Sequence, residues 1–231
     1  MVAPTVSCIV PVFNGERYLG EALDSIFAQR HPALEVLVVD DGSTDGSAGI
    51  AQSYGDRVRY LFQPNAGPAA ARNLGLGAAL GEFIAFLDAD DLWDRHKLAI
   101  QLARFSARPE LDYCVAHVQN FWVPELKAEE EQFRGHPRSR PVPGYVTSTL
   151  VARRTLFQSV GLFDVEHPHA DDADWFLRAD GARAVKELLP DVLLFRRMHP
   201  GNRSRMRASA SRTDYLRLLK TALDRKRREA T

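Results

Sequence analysis

Residues 82–94 read EFIAFLDADDLWD, an apolar run from Phe83 to Leu87 that ends in Asp88, Asp90 and Asp91. Three carboxylates at the end of a buried strand repel one another unless something positive sits among them. Asp88 and Asp90 flank one small residue, so both can approach a single divalent ion in an extended turn. Oxygen ligands of this kind suit Mg2+ or Mn2+. An ion held there can neutralise charge that grows on a departing diphosphate. The alternative is helix capping by Asp90 or Asp91 ahead of LWDRHKLAIQL, which uses one acid of the three.

Four further clusters carry chemistry. In DDGSTD, Asp40 and Asp41 end a strand, Gly42 permits a tight turn, and Ser43 or Thr44 is expected to cap the next helix. A turn needs one acid, and the second, Asp41, is free to accept an N–H from a nucleotide base. Arg72 lies among alanines and glycines in NAGPAAARNLGLGAALG, where its guanidinium can reach a base or its oxygens; otherwise it is an exposed helix arginine. HADDADWFLRAD holds Asp171, Asp172 and Asp174, either first-turn acids favoured by the helix dipole with an Asp174–Arg178 ion pair, or a source of a general base. His199, in MHPGNRS, is an ordinary turn histidine or a group that completes a metal shell or touches a phosphate.

The elements that must position these residues alternate. TVSCIV, LEVLVVD, RVRYLFQ and EFIAFLD read as near-continuous apolar strands, and ERYLGEALDSIFAQ, GSAGIAQSYG, AAARNLGLGAAL and RHKLAIQLARF as the helices between them. That rhythm predicts an α/β fold with a mostly parallel sheet flanked by helices. Ligands in such sheets bind beyond the carboxyl ends of the strands, where PVFNG, DDGSTD and DADD fall. In the second half, DYCVAHVQNFWV reads as a long strand and residues 124–144 as a mobile acceptor loop or lid. A short helix around RTLFQSVG, a last strand DVLLFRRM and a C-terminal helix TDYLRLLKTALDRKRRE complete the pattern.

The 231 residues carry 30 basic and 30 acidic side chains, yet Arg196 to Thr231 hold twelve of the first and three of the second, a net of +9 on a body of −9. In the tail, Tyr215, Leu218, Leu219, Ala222 and Leu223 form one apolar stripe among the cations. An anionic membrane surface or a phosphate-bearing lipid acceptor is the expected partner, against packing on the domain or dimerisation. Cys8 and Cys114 sit in apolar runs and are expected in the core. Without a signal-peptide pattern or a membrane-length apolar stretch, a cytoplasmic location is expected, with peripheral contact at the inner membrane surface open. Two nucleotide-binding motifs are excluded: Gly75, Gly77 and Gly81 follow a GxGxxxG spacing late in a helix, not the dinucleotide fingerprint, and no GK[ST] phosphate loop occurs. Nucleotidyl transfer is disfavoured because PVFNGERY lacks a glycine-rich phosphate loop. No nucleic-acid partner is expected.

VSCIVPVFNGERYL, VLVVDDGSTDGS, NAGPAAARNLGL and FIAFLDADDLW, followed by GLFD, ADDADWFLR and MHPGNRS, together resemble the family 2 glycosyltransferases, inverting enzymes of the GT-A fold that use nucleotide-diphospho-sugars. The resemblance covers most of residues 5–204. It implies a domain over 1–204, with a nucleotide-binding half to about 107 and an acceptor half from about 108, and a basic helical tail over 205–231. It implies that Pro11 and its neighbour Asn14 line the base pocket, that Asp41 binds the base, and that Arg72 contacts base or phosphate. Asp88 would meet ribose or metal, and Asp90 would be the metal carboxylate, joined by His199. The general base falls at Asp172; Asp171 stands where the family usually has Glu, and Asp40 is accessory. The implied reaction moves a sugar, with a UDP donor expected, to a glycan, lipid-linked or other hydroxyl acceptor in glycan biosynthesis, with Mn2+ or Mg2+. The alternative is a catalytically inactive nucleotide-binding or scaffold protein of the same fold.

Overall fold

The computed structural model describes residues 4–31, 33, 35–166 and 170–206. The tail expected to be helical and membrane-facing lies outside them beyond Met206. Nine strands form one sheet: β1 (Val6–Val12), β2 (Glu35–Asp40), β3 (Arg59–Phe62), β4 (Phe83–Phe86), β5 (Leu92–Trp93), β6 (Tyr113–Trp122), β7 (Val142–Pro143), β8 (Val151–Arg153) and β9 (Lys186–Met198). Their order is β3-β2-β1-β4-β8-β6-β9-β5, with β7 added to β6. The ladders among β1, β2, β3 and β4 are parallel, as is the long β6–β9 ladder, while β8, β7 and β5 pair antiparallel. The sheet is therefore mainly parallel, as the alternation of apolar runs predicts.

Among the described residues eight α-helices accompany it: α1 (Leu19–Phe27), α2 (Ser47–Ser53), α3 (Pro68–Ala78), α4 (Lys97–Ala107), α5 (Lys127–Gln132), α6 (Leu156–Val160), α7 (Asp171–Gly181) and α8 (Arg203–Met206). Side chains alternate across a strand, so each strand feeds two cores. Val6, Cys8, Val10, Val36 and Val38 pack under α1, α2 and α4. Ile9, Leu37 and Val39 pack under α3, with α6 and α7 joining through Phe157, Trp175 and Phe176. Cys8 and Cys114 are free and buried in the first core, and burial pushes both thiols up to about 12.

Three local expectations are corrected. Residues 124–144 are not a structureless loop, because two short 3-10 turns, α5 and β7 occupy them. Neither Ser43 nor Thr44 caps α2: Asp45 Oδ1 accepts the Ser47 N–H (3.0 Å), and Ser43 and Thr44 turn to Asn14 instead. Nor do Asp90 and Asp91 cap α4, since β5 intervenes and Asp94 Oδ1 takes the His96 N–H at the helix start.

The glycines of α3 serve packing. A Cβ on Gly75 would stand 2.5 Å from Ile9 Cγ2 of β1, whereas one on Gly77 would meet nothing within 4 Å. Gly75→Ala is thus expected to cost about 1–3 kcal/mol through overpacking, lowering the melting temperature by several degrees. Gly77→Ala is expected to gain about 0.4–1 kcal/mol by restricting the unfolded chain. Equal melting temperatures for the two variants would contradict this account of how α3 is seated.

Candidate active site

Four chain segments meet at the carboxyl ends of β1, β2, β4 and β9, and a fifth, the start of α7, closes the cluster. The first two are stitched together. Asn14, at φ 51°, adopts the left-handed conformation that asparagine tolerates better than most residues. Its N–H donates to Ser43 Oγ (3.0 Å), and its Oδ1 accepts from Thr44 N–H (2.8 Å). Glu16 and Asp45 exchange a similar pair, with Glu16 N–H on Asp45 Oδ2 and Gly46 N–H on Glu16 Oε2. Pro11 lies within β1, opposite Val39 of β2.

Asp40 and Asp41 are both buried, and their environments differ. Asp40 accepts from Ser43 N–H (2.7 Å) and the Tyr60 hydroxyl (2.7 Å), so it holds its own turn. Asp41 reaches across to the next loop, accepting from Gln63 Nε2 (2.6 Å), Ala66 N–H (2.8 Å) and Gly67 N–H (2.8 Å). It thereby folds the 63–67 turn over the entrance to α3.

Arg72 is neither an exposed helix residue nor turned toward solvent. Only 6% exposed, it extends Nη2 to Asp88 Oδ1 (2.9 Å) and Nη1 to Asp171 Oδ2 (2.5 Å), with its Nε finding no acceptor. Burial works against its charge, but Asp171, Asp88 and Asp172 outweigh it and hold the guanidinium above its ordinary pKa. One cation thus ties the end of β4 to the start of α7. Asp88 is held a second way, by its own N–H on Ser148 Oγ (3.1 Å).

Asp90 faces the end of β9. Its Oδ2 meets His199 Nε2 (2.9 Å) and Asn202 Nδ2 (3.2 Å), so two of the three predicted metal-site residues come together, while the third, Asp88, turns to Arg72. Asp91 is drawn inward to accept Arg197 N–H (2.9 Å), and burial, then the charges of Asp90 and Asp88, push its carboxyl well above the usual carboxylate range. Among the described residues no group of three or more His, Cys, Asp or Glu side chains is arranged to hold a metal ion by itself. Asp90 and His199 fit a divalent cation that takes its remaining ligands from phosphate oxygens and water, the usual manner of Mg2+ at phosphate sites.

The base candidate stands on α7. Asp172 keeps a solvent-facing edge while protein crowds its other sides. Desolvation, then the neighbouring charge of Asp171, raises its pKa to about 6, partly opposed by Arg72 and by the Ala173 N–H it accepts (2.7 Å). The helix is fixed from below: Trp175 is fully buried, stacks on Phe157 (4.9 Å) and donates its indole N–H to Gly161 O (3.1 Å). The Asp174–Arg178 pair expected from spacing is present at 2.7 Å. The GLFD segment reaches α3 through Asn73, whose amide both gives to and takes from the Phe163 backbone (2.8 and 3.0 Å).

The residues matched by the model of glycosyl transferase family 2 are 7–161. The chain belongs to that family. An uncharacterized glycosyltransferase of Rickettsia typhi is 33% identical over 185 residues, covering 75% of this chain and 58% of the relative. The crystal structure of S. aureus TarS in complex with UDP superposes with a TM-score of 0.68 at 25% identity, over 85% of this chain and 61% of that one. A mannosyltransferase of Pyrobaculum calidifontis, in complex with GDP-Man and Mn2+, shares the fold with a TM-score of 0.74 at 23% identity, over 97% and 65% of the two chains. This glycosyltransferase-family chain thus spans about three fifths of the length of the Rickettsia relative and of residues 1–349 of TarS. Among its described residues no helix is long and apolar enough to cross a membrane.

Sequence reasoning missed Asn202, Arg197 and Ser148, each of which touches the DADD turn from more than 50 positions away. The raised pKa of Asp172 has a consequence for stability. The folded chain binds this proton more tightly than the unfolded one, whose aspartates titrate near 3.9. Ionised Asp172 therefore costs stability, a cost absent below pH ~4 and fully present above the folded pKa of about 6. Asp172→Asn is expected to melt higher than the wild type at pH 8, by on the order of 1 kcal/mol after screening at its open edge. The difference should close as pH falls to 4. A variant less stable than wild type at pH 8 would contradict the raised pKa.

Proposed function

We propose that this chain transfers a glycosyl group from a nucleotide-diphospho-sugar to an acceptor hydroxyl in a single inverting displacement. The observation that carries the reading is the bridge Arg72 makes from Asp88, at the end of β4 and two positions before Asp90, to Asp171, the residue before Asp172 at the start of α7.

The donor lies over the carboxyl ends of β1, β2 and β4. Asp41 has about four lone-pair sites, and its three bonds to the 63–67 turn leave one for the imide N–H of a uracil. A UDP-linked donor is supported by this acceptor and by the TarS relative, whose structure contains UDP. Pro11 and Asn14 line the same pocket, Asn14 by holding its two loops together. Asp88, with Oδ1 on Arg72, offers its other oxygen to the ribose. A divalent cation, Mn2+ or Mg2+, held by Asp90 and His199 would neutralise the charge left on the diphosphate. Arg72 acts by holding Asp88 and Asp171 in place, and Asp171 by accepting that cation; Asp40 is accessory through its turn.

Asp172 takes the proton from the acceptor hydroxyl. The oxygen attacks C1 of the sugar from the side opposite the diphosphate, the C1–O bond to the leaving group breaks, and the anomeric configuration inverts. A carboxylate with a pKa of about 6 is ionised at neutral pH and still basic enough to share that proton in the transition state.

Thermal shift with UDP and Mn2+ tests the donor site. At ligand near 100 Kd, stabilisation of about 2.7 kcal/mol corresponds to about 5–10 °C. The shift is expected in the wild type and in Asp172→Asn, and lost in Asp90→Asn. Turnover of a UDP-sugar, followed as UDP release, should fall by about 10^2–10^4 in Asp172→Asn and should decline in the wild type below pH ~6, as the base protonates. Absence of any shift with UDP or GDP in folded wild type would favour an inactive scaffold.

A further inference from the structure

We propose that Arg197 is a positioning residue for the cation-binding carboxylate: from the end of β9 it fixes the main chain of Asp90 and Asp91, so that Asp90 presents one geometry to a divalent ion. The inference rests on the reading of Asp90 as a metal ligand.

Arg197 is 7% exposed, and its Nε, Nη2, backbone N–H and carbonyl all have partners. Its Nε–H donates to the Asp90 carbonyl (2.9 Å) and its backbone N–H to Asp91 Oδ1 (2.9 Å). Nη2 reaches Glu21 Oε2 on α1 (2.8 Å), which sets the direction of the guanidinium. The Arg197 carbonyl accepts from Asn202 Nδ2 (3.0 Å), the same amide group that meets Asp90 Oδ2 (3.2 Å). Asn202 Oδ1 in turn accepts the His199 N–H (2.6 Å). Both candidate ligands, Asp90 and His199, are therefore bonded to a frame that begins at Arg197.

The guanidinium plane is clamped as well. Its carbon lies 4.5 Å from the centre of the Tyr18 ring and 4.8 Å from that of Phe121. Tyr18 also touches the His199 ring at 4.9 Å, so one aromatic ring supports the arginine and the imidazole together. Buried between rings and hydrogen-bonded along one edge, the guanidinium uses its fixed fork of donors. A lysine keeps the charge near Glu21 but loses the Nε–H to Asp90 and the planar stack. Partners that orient metal ligands typically account for 10–100-fold in metal affinity.

The test is Mn2+ binding followed by electron paramagnetic resonance of the free ion, at saturating UDP and, in a parallel series, GDP. Arg197→Lys is expected to weaken Mn2+ at least tenfold, while at saturating Mn2+ it recovers the wild-type thermal shift with the nucleotide. Unchanged Mn2+ affinity overturns the proposal, and so does a shift that no Mn2+ concentration restores, which would mean general damage to the fold. If Arg197→Lys does not fold, Phe121→Leu removes one face of the clamp and is expected to weaken Mn2+ about threefold; no change there overturns the proposal equally. Wild type that binds no Mn2+ with either nucleotide overturns the reading of Asp90 itself, an outcome distinguished by its appearing without any substitution.

Discussion

The guanidinium of Arg72 stands between two carboxylates that belong to different parts of the chain, Asp88 at the end of β4 and Asp171 at the start of α7. Asp171 is 4% exposed, and Asp172 and Asp88 lie in the same corner. Acids gathered there without a cation would repel one another in a poorly solvated space. Breaking a buried pair of this kind costs about 3–5 kcal/mol because a charge is left uncompensated. The arginine can occupy its position only because α3 lies close against the sheet, and α3 lies close because Ala69, Ala71 and Gly75 face β1 and β2. Small residues in one helix thus determine where two distant acids meet.

That arrangement separates the work of the site. The acids of the DADD turn are held toward β9, where Asp90 finds His199 and Asn202, and toward Arg72 through Asp88. Asp172 is left next to the ion pair without belonging to it. It receives the desolvation of the corner and the charge of Asp171, and only part of the compensation from Arg72. The aromatic cluster of Phe86, Phe157, Phe163 and Trp175 beneath α7 gives the helix no room to shift. The proposed base, with its raised pKa, is kept in place by packing rather than by a bond of its own to a cation.

Much of this was legible in the residues. Apolar runs such as VSCIVPV and FIAF, separated by helices of regular spacing, give a mainly parallel sheet, and the polar clusters at the strand ends give the cleft. Asp90 and His199 are 109 positions apart and meet as the family resemblance implies. What stayed hidden depends on contacts that no local pattern encodes. The β5 strand has two residues and exists because Leu92 and Trp93 pair with Phe195 and Leu194. The first-turn N–H of Ser47 in α2 goes to Asp45 because Asn14 takes up Ser43 and Thr44, and a motif cannot announce which partner wins. The helix α5, KAEEEQ, is six residues long with one alanine among five polar residues, so it has no apolar face to signal it. Arg197 and Asn202 read as ordinary surface residues until the fold buries them.

The decisive quantity is the affinity of Asp172 for a proton in the folded chain. Carbon-13 NMR titration of its carboxyl group, assigned by comparison with Asp172→Asn, measures it without donor, acceptor or metal. The account predicts a midpoint near pH 6. A midpoint near 4, the range of a solvent-exposed aspartate, would mean that the corner formed by Arg72 and Asp171 does not prepare Asp172 to act as a base.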